Sequence, residues 1–198
     1  MPYLELAPEY APPRSEFSRP GILSAVARIN GFVHHTPVLE NAWLNQQLGC
    51  RVHFKCEHFQ RGGAFKIRGA MNSVLQLSEE QASRGVVTHS SGNHAQALAI
   101  AAQMRGIHCT VVMPENSPAV KMQATRDRGA LVVTCQPTQA ARIAATQEII
   151  ERTGATLVHP FDQATIVLGQ ATAAWELLTD VPQLDAIVAP VGGGGLLA

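Results

Sequence analysis

The chain has 198 residues, 46% of them hydrophobic and 15% charged, with fifteen basic and fifteen acidic side chains that cancel. That balance describes a well-buried globular protein and excludes a polybasic surface for nucleic acid or an anionic membrane. Four cysteines without a CxxC pair and eight histidines without HExxH or Cys/His ligand spacing argue against a disulfide framework and a zinc site, so a reducing, cytoplasmic compartment is expected.

Residues 1–20 carry Glu5, Glu9, Glu16 and five of the twelve prolines, and read as an extended arm, not a secretion signal. No apolar run approaches membrane-spanning length. Helices and strands then alternate. A helix is predicted over Ile22–Ile29, an extended stretch at Thr36–Leu39, and a helix over Asn41–Leu48 that stops at Gly49. A strand over Arg51–Glu57 runs through a glycine turn into a helix whose buried face would be Ile67, Ala70, Met71, Val74 and Leu77. Lys66 opens that helix on the flank of the stripe, where partial burial would lower its pKa, as a Schiff-base lysine requires. A lysine in a first helical turn is more commonly a solvated side chain lying along apolar surface.

A strand at Val86–Thr88 leads through Ser90-Ser91-Gly92 into a helix from Ala95 to Met104. Exposed N–H groups and the positive end of the dipole make this helix start an anion site, with Ser90, Ser91 and Asn93 as extra donors; simple capping by a serine is the plainer alternative. Strand His108–Met113 precedes a helix with Ser117 as N-cap and Pro118 at its first position, ending at Gly129. Strand Ala130–Thr134, a helix near Gln139–Arg152, strand Thr156–Val158 and a helix near Gln163–Leu178 follow. A last strand, Asp185–Pro190, runs into Gly192-Gly193-Gly194-Gly195, glycines that could bring backbone N–H groups against an anion or simply form a turn. It is neither a Walker loop nor a GxGxxG fingerprint. Strands apolar on both faces predict an α/β protein with mostly parallel sheets covered by helices.

Taken in order, Thr36-Pro37-Val38-Leu39, the stretch from Lys55 to Ala70, Ser90-Ser91-Gly92-Asn93-His94, Lys121-Met122-Gln123-Ala124-Thr125 with Gly129-Ala130, His159-Pro160-Phe161-Asp162, Gly169-Gln170 and the glycine loop resemble the fold-type II pyridoxal-phosphate enzymes, specifically the serine racemase and serine/threonine dehydratase group. The resemblance covers nearly the whole chain after Pro20. It implies a tryptophan synthase β-like α/β fold, with a small domain at 85–158 inserted between two parts of a large cofactor domain, 21–84 and 159–198. The second part would be incomplete.

The resemblance further implies that Lys66 forms the Schiff base with pyridoxal 5'-phosphate and that Phe65 packs near the cofactor. Asn93 would hydrogen-bond the ring hydroxyl, Gly192, Gly193, Gly194 and Gly195 would hold the phosphate, and Ser90, Ser91 and His94 would receive the substrate carboxylate. Ser91 leans towards the racemase branch, where a serine exchanges a proton on the cofactor face opposite the lysine. Ala64 and Ala171 depart from the family's usual serine and glycine. Family members continue beyond the glycine loop into further strands and a divalent-metal site that this chain does not contain. The implied activity is β-elimination (dehydration and deamination) of L-serine or L-threonine to a 2-oxo acid and ammonia, with serine racemisation as a companion reaction, on a small amino acid substrate in a homodimer. The alternative is a non-catalytic remnant that serves as a binding or dimerising module.

Overall fold

A computed structural model describes residues 17–198. Helix α1 (Arg19–Ile29) is capped by Ser18, whose side chain accepts from the Gly21 N–H, and a proline sits in its first turn. Cap and proline start the helix ahead of Ile22, so Arg19 and Pro20 are helical and not part of an extended arm. The arm's first sixteen residues lie outside the described ones.

Strands β1 (Val38–Glu40) and β2 (His53–Lys55) pair antiparallel, with Leu39 opposite Phe54. Between them α2 (Ala42–Leu48) is capped by Asn41 and ends at Gly49, whose φ of 65° is the left-handed conformation that glycine adopts without strain. Helix α3 (Lys66–Val74) buries Ile67, Ala70, Met71 and Val74 completely. Leu77 falls beyond its end and packs at the margin of the core. A short helix that the apolar periodicity does not predict, α4 (Glu79–Arg84), follows; Ser78 and Gln81 form a reciprocal capping box at its start.

The parallel sheet is built by β3 (Val86–His89), β4 (Cys109–Pro114), β5 (Leu131–Cys135) and β6 (Thr156–Leu157), in the spatial order β5-β4-β3-β6. Helices α5 (Asn93–Arg105), α6 (Ala119–Arg126) and α7 (Gln139–Thr153) make the connections. Val86, Val111 and Met113 face a core shared with α3 and α5, while Val87 and Val112 face a second cluster with Ile149 of α7. Both faces are covered, which explains why these strands lack alternation. Helix α8 (Ala164–Asp180) returns across α3 and α1. No helix among the described residues is long and apolar enough to cross a membrane.

Two expectations fail. Ser117 does not cap α6: Pro118 holds the N-cap position with a non-helical ψ of 129°, which delays the helix to Ala119 and leaves the Ser117 hydroxyl buried without a partner. Asp185–Pro190 forms no strand; among the described residues it pairs with no neighbour, and Val188 is 94% exposed. An apolar stretch becomes a strand only when an adjacent backbone satisfies its N–H and C=O groups.

Candidate active site

Two 3-10 turns, Glu57–Phe59 and Arg61–Gly63, carry the chain from β2 to the start of α3. Gly62 and Gly63 both take φ of 73°, folding the backbone so that Lys66 emerges inward. The Lys66 ammonium donates to the Pro160 carbonyl at 2.6 Å and lies 5.3 Å from the centre of the Phe65 ring. Among the described residues it makes no ion pair. Burial lowers its pKa from the usual lysine value, because desolvation penalises the charged form.

The Pro160 carbonyl belongs to a turn that also touches the glycine loop. A β-carbon on Gly193 would fall 2.3 Å from the Phe161 ring, and one on Gly195 would fall 2.7 Å from the Phe161 carbonyl oxygen. Gly194 has φ of 87°, and its carbonyl accepts from the N–H groups of Leu197 and Ala198. Only glycine lets this backbone approach so closely. The Lys66 amine and the glycine loop, 126 residues or more apart in sequence, thus both contact the Pro160-Phe161 segment.

At the other end of the site, the Ser90 N–H donates to the Val112 carbonyl at 3.1 Å, and the Ser90 hydroxyl accepts from the Gly92 N–H at 3.3 Å. Asn93 is the exposed first residue of α5, and Ser91 is half-buried beside it. Of the first-turn N–H groups, that of Ala95 donates to the Gly92 carbonyl at 3.1 Å, while those of Asn93 and His94 have no acceptor within the helix. His94 is different. Its ring is buried, its Nε2 donates to the Val158 carbonyl at 3.1 Å, and its Nδ1 has no partner. Burial foremost pushes its pKa down to about 3; the Val158 carbonyl opposes the shift, and the charges of Lys66, His159 and His89 add to it. The buried His94 side chain is therefore neutral and tied through Nε2 to the Val158 carbonyl.

Several contributors are not apparent from the sequence. The acceptor for Lys66 is a main-chain carbonyl, which no residue type announces. Arg68 is wholly buried two residues after Lys66, and binds Glu57 and Glu176 with paired hydrogen bonds of 2.7 to 2.9 Å. Gln170 of α8 accepts from the Gly69 N–H at 3.1 Å, so a side chain from the far end of the chain satisfies a first-turn donor of α3. The signal for these was present: His159, Phe161, Gly169 and Gln170 lie within the stretches that carry the family resemblance.

Residues 29–198 match the family model described as pyridoxal-phosphate dependent enzyme, and the chain belongs to that family. It is 49% identical over 177 residues to a serine racemase of Dictyostelium discoideum, covering 89% of this chain and 55% of the relative. It is 46% identical over 177 residues to an L-threo-3-hydroxyaspartate ammonia-lyase of Saccharomyces cerevisiae, covering 89% of this chain and 54% of that protein. The solved structure of a maize serine racemase superposes with a TM-score of 0.87 at 45% identity, over 89% of this chain and 54% of that one. The chain spans about half the length of the curated relatives it matches. These neighbours define its fold class, the α/β fold of the fold-type II pyridoxal-phosphate enzymes.

The residues present fit that cofactor. An amine with lowered pKa and no carboxylate partner suits reversible carbonyl chemistry. A glycine loop too tightly packed at Gly193 and Gly195 to hold side chains suits a phosphate cradled by main-chain N–H groups.

Proposed function

We propose that the protein of which this chain is part or whole eliminates water from L-serine or L-threonine with pyridoxal 5'-phosphate, releasing a 2-oxo acid and ammonium, and racemises serine as a companion reaction. The observation that carries the reading is the Lys66 amine, deprotonated more readily than an ordinary lysine and linked to the glycine loop through Pro160 and Phe161. When bound, the cofactor supplies an electron sink that acidifies the α-carbon of an attached amino acid. Lys66 would hold the cofactor and, once displaced by substrate, act as the general base that takes the α-proton. Gly192, Gly193, Gly194 and Gly195 would hold the phosphate, Asn93 the ring hydroxyl, and Phe65 the flank of the ring. The α5 start, through Ser90, Ser91 and the His94 main chain, would orient the substrate carboxylate. Loss of the β-hydroxyl as water, followed by hydrolysis of the released imine, would give the 2-oxo acid and ammonium; return of a proton from the Ser91 hydroxyl on the opposite face would give the mirror-image amino acid.

A small domain at 85–158 between two parts of a large one is supported by the confinement of the parallel sheet to Val86–Leu157. Four free cysteines support a reducing compartment. The exposed apolar side chains of Ile187, Val188 and Val191 favour the second reading, a binding module that works through that segment. One experiment separates the two. Purified chain is mixed with pyridoxal phosphate and treated with borohydride, the modified peptide is identified by mass, and 2-oxo acid is assayed from L-serine and L-threonine. Fixation at Lys66 with turnover is expected. Absence of fixation at Lys66 overturns the enzymatic reading and leaves the module.

A further inference from the structure

The turn between β6 and α8 is locked from within. The His159 Nδ1 accepts from the Phe161 N–H at 3.3 Å and from the Asp162 N–H at 2.8 Å. The His159 N–H in turn donates to Gln163 Oε1 at 2.9 Å. Asparagine and aspartate close turns in the same way, with a side-chain oxygen that accepts from main-chain N–H groups just ahead. Here the held segment has two clients: the Pro160 carbonyl receives the Lys66 amine, and Phe161 packs against Gly193 and Gly195.

We propose that His159 is a positioning residue whose unprotonated Nδ1 fixes the turn joining the Lys66 amine to the glycine loop. The inference rests on the reading of Lys66 and that loop given above. A ring that accepts at Nδ1 carries its proton on Nε2; a second proton would place a donor where two N–H groups converge, and both hydrogen bonds would be lost. The groups that face His159 are His89 at the end of β3, edge-to-face at 5.7 Å between ring centres, Lys66 of α3, His94 of α5, and Asp162 of its own turn. Burial, then the charges of His89 and Lys66, hold its pKa below the ordinary histidine value, with Asp162 acting in the other direction. The turn is therefore kept at neutral pH and loosens only as pH falls through that lowered value.

The test uses the whole chain. Protection of the Phe161 and Asp162 amides against hydrogen exchange is followed without cofactor from about pH 8 to about pH 5, and pyridoxal phosphate affinity is measured by absorbance at the upper pH. His159→Asn keeps an acceptor near the Nδ1 position and cannot titrate; His159→Leu removes the acceptor. Wild-type protection should fall with acid, whereas the His159→Asn protein should keep both its protection across the range and its affinity within about twofold. His159→Leu should lower protection and affinity by roughly tenfold, as expected for loss of a pair of hydrogen bonds. Protection in His159→Asn that falls in step with wild type, or unchanged protection and affinity in His159→Leu, overturns the proposal. If wild-type chain is not fixed by borohydride at Lys66, the reading of Lys66 fails instead, and amide protection still decides whether His159 holds the turn.

Discussion

Gly169 of α8 meets Gly69 of α3 with no space between them: a β-carbon on Gly169 would stand 2.5 Å from the Gly69 Cα and 2.7 Å from the Arg68 carbonyl oxygen. These are main-chain atoms of a buried helix, so they cannot step aside. Gly169→Ala should therefore destabilise the chain by about 3 kcal/mol, the upper part of the range for overpacking. It should also weaken pyridoxal phosphate binding, because the displaced helix begins at Lys66. Urea denaturation and absorbance titration check the two effects; a variant as stable as wild type would show that the helices can part without cost.

Arg68 supplies a second test of the same helix pair. Its guanidinium is fully buried between Glu57 and Glu176, and Lys55 adds a contact to Glu176 at 2.8 Å. Arg68→Leu would leave the two carboxylates without their shared partner and should cost about 3–5 kcal/mol. Burial alone would raise the Glu176 pKa, but hydrogen bonds and charge from Arg68 and Lys55 outweigh it and hold the carboxyl below its ordinary value. The stabilising contribution is complete above the unfolded-state pKa and is lost as pH falls through the lowered folded value. Denaturation midpoints of wild type and variant, compared at neutral pH and at pH values below the ordinary carboxyl value of 4.5, should converge as acid removes what the mutation has already removed; a constant gap would argue against this linkage.

His94 gives acid sensitivity at higher pH. With its pKa at about 3 in the fold, against an ordinary value of 6.5, the folded state refuses a proton that the unfolded chain accepts. Stability should hold above pH 6.5 and decline below it, by at most about 1.4 kcal/mol per pH unit from this group. His94→Gln retains a donor for the Val158 carbonyl but cannot titrate. Its urea midpoint should fall less steeply with acid; an identical slope would mean that His94 is not the group responsible.

Ser91 separates the two proposed reactions. Ser91→Ala should depress serine racemisation about a hundredfold, the scale of a lost general acid, and affect 2-oxo acid formation far less. Chiral chromatography beside an oxo acid assay measures both. Equal losses would remove Ser91 from proton exchange and leave it a carboxylate contact.

Local chemistry made much of the fold legible before any coordinates. Gly49 ends α2 in the left-handed conformation, and the runs around Val87 and Val111 read as strands buried on both faces. Helix α4 went unread although Ser78 and Gln81 stand at capping-box spacing, because its short polar sequence lacks an apolar stripe. What failed depends on distant partners or on one torsion. Asp185–Pro190 has strand composition without a neighbouring strand, and Ser117 lost its cap to the ψ angle of Pro118. In the candidate site, Lys66 could be singled out from its place beside the stripe. Its acceptor Pro160, and the Gly69–Gly169 contact that sets its helix, join positions about a hundred residues apart and leave no local trace.

The carbonyl partner of Lys66 lies 94 positions further along the chain, and the segment between them contains all four strands of the parallel sheet. Contacts of such sequence separation form only after their loop has been closed, and they make folding slow. During synthesis from the N-terminus, α3 must wait for the sheet, the His159 turn and α8 before its amine is shielded. Lys66 is an ordinary lysine until the segment from β6 through α8 has been made. Its amine is desolvated as a late event in folding, when that segment closes over it.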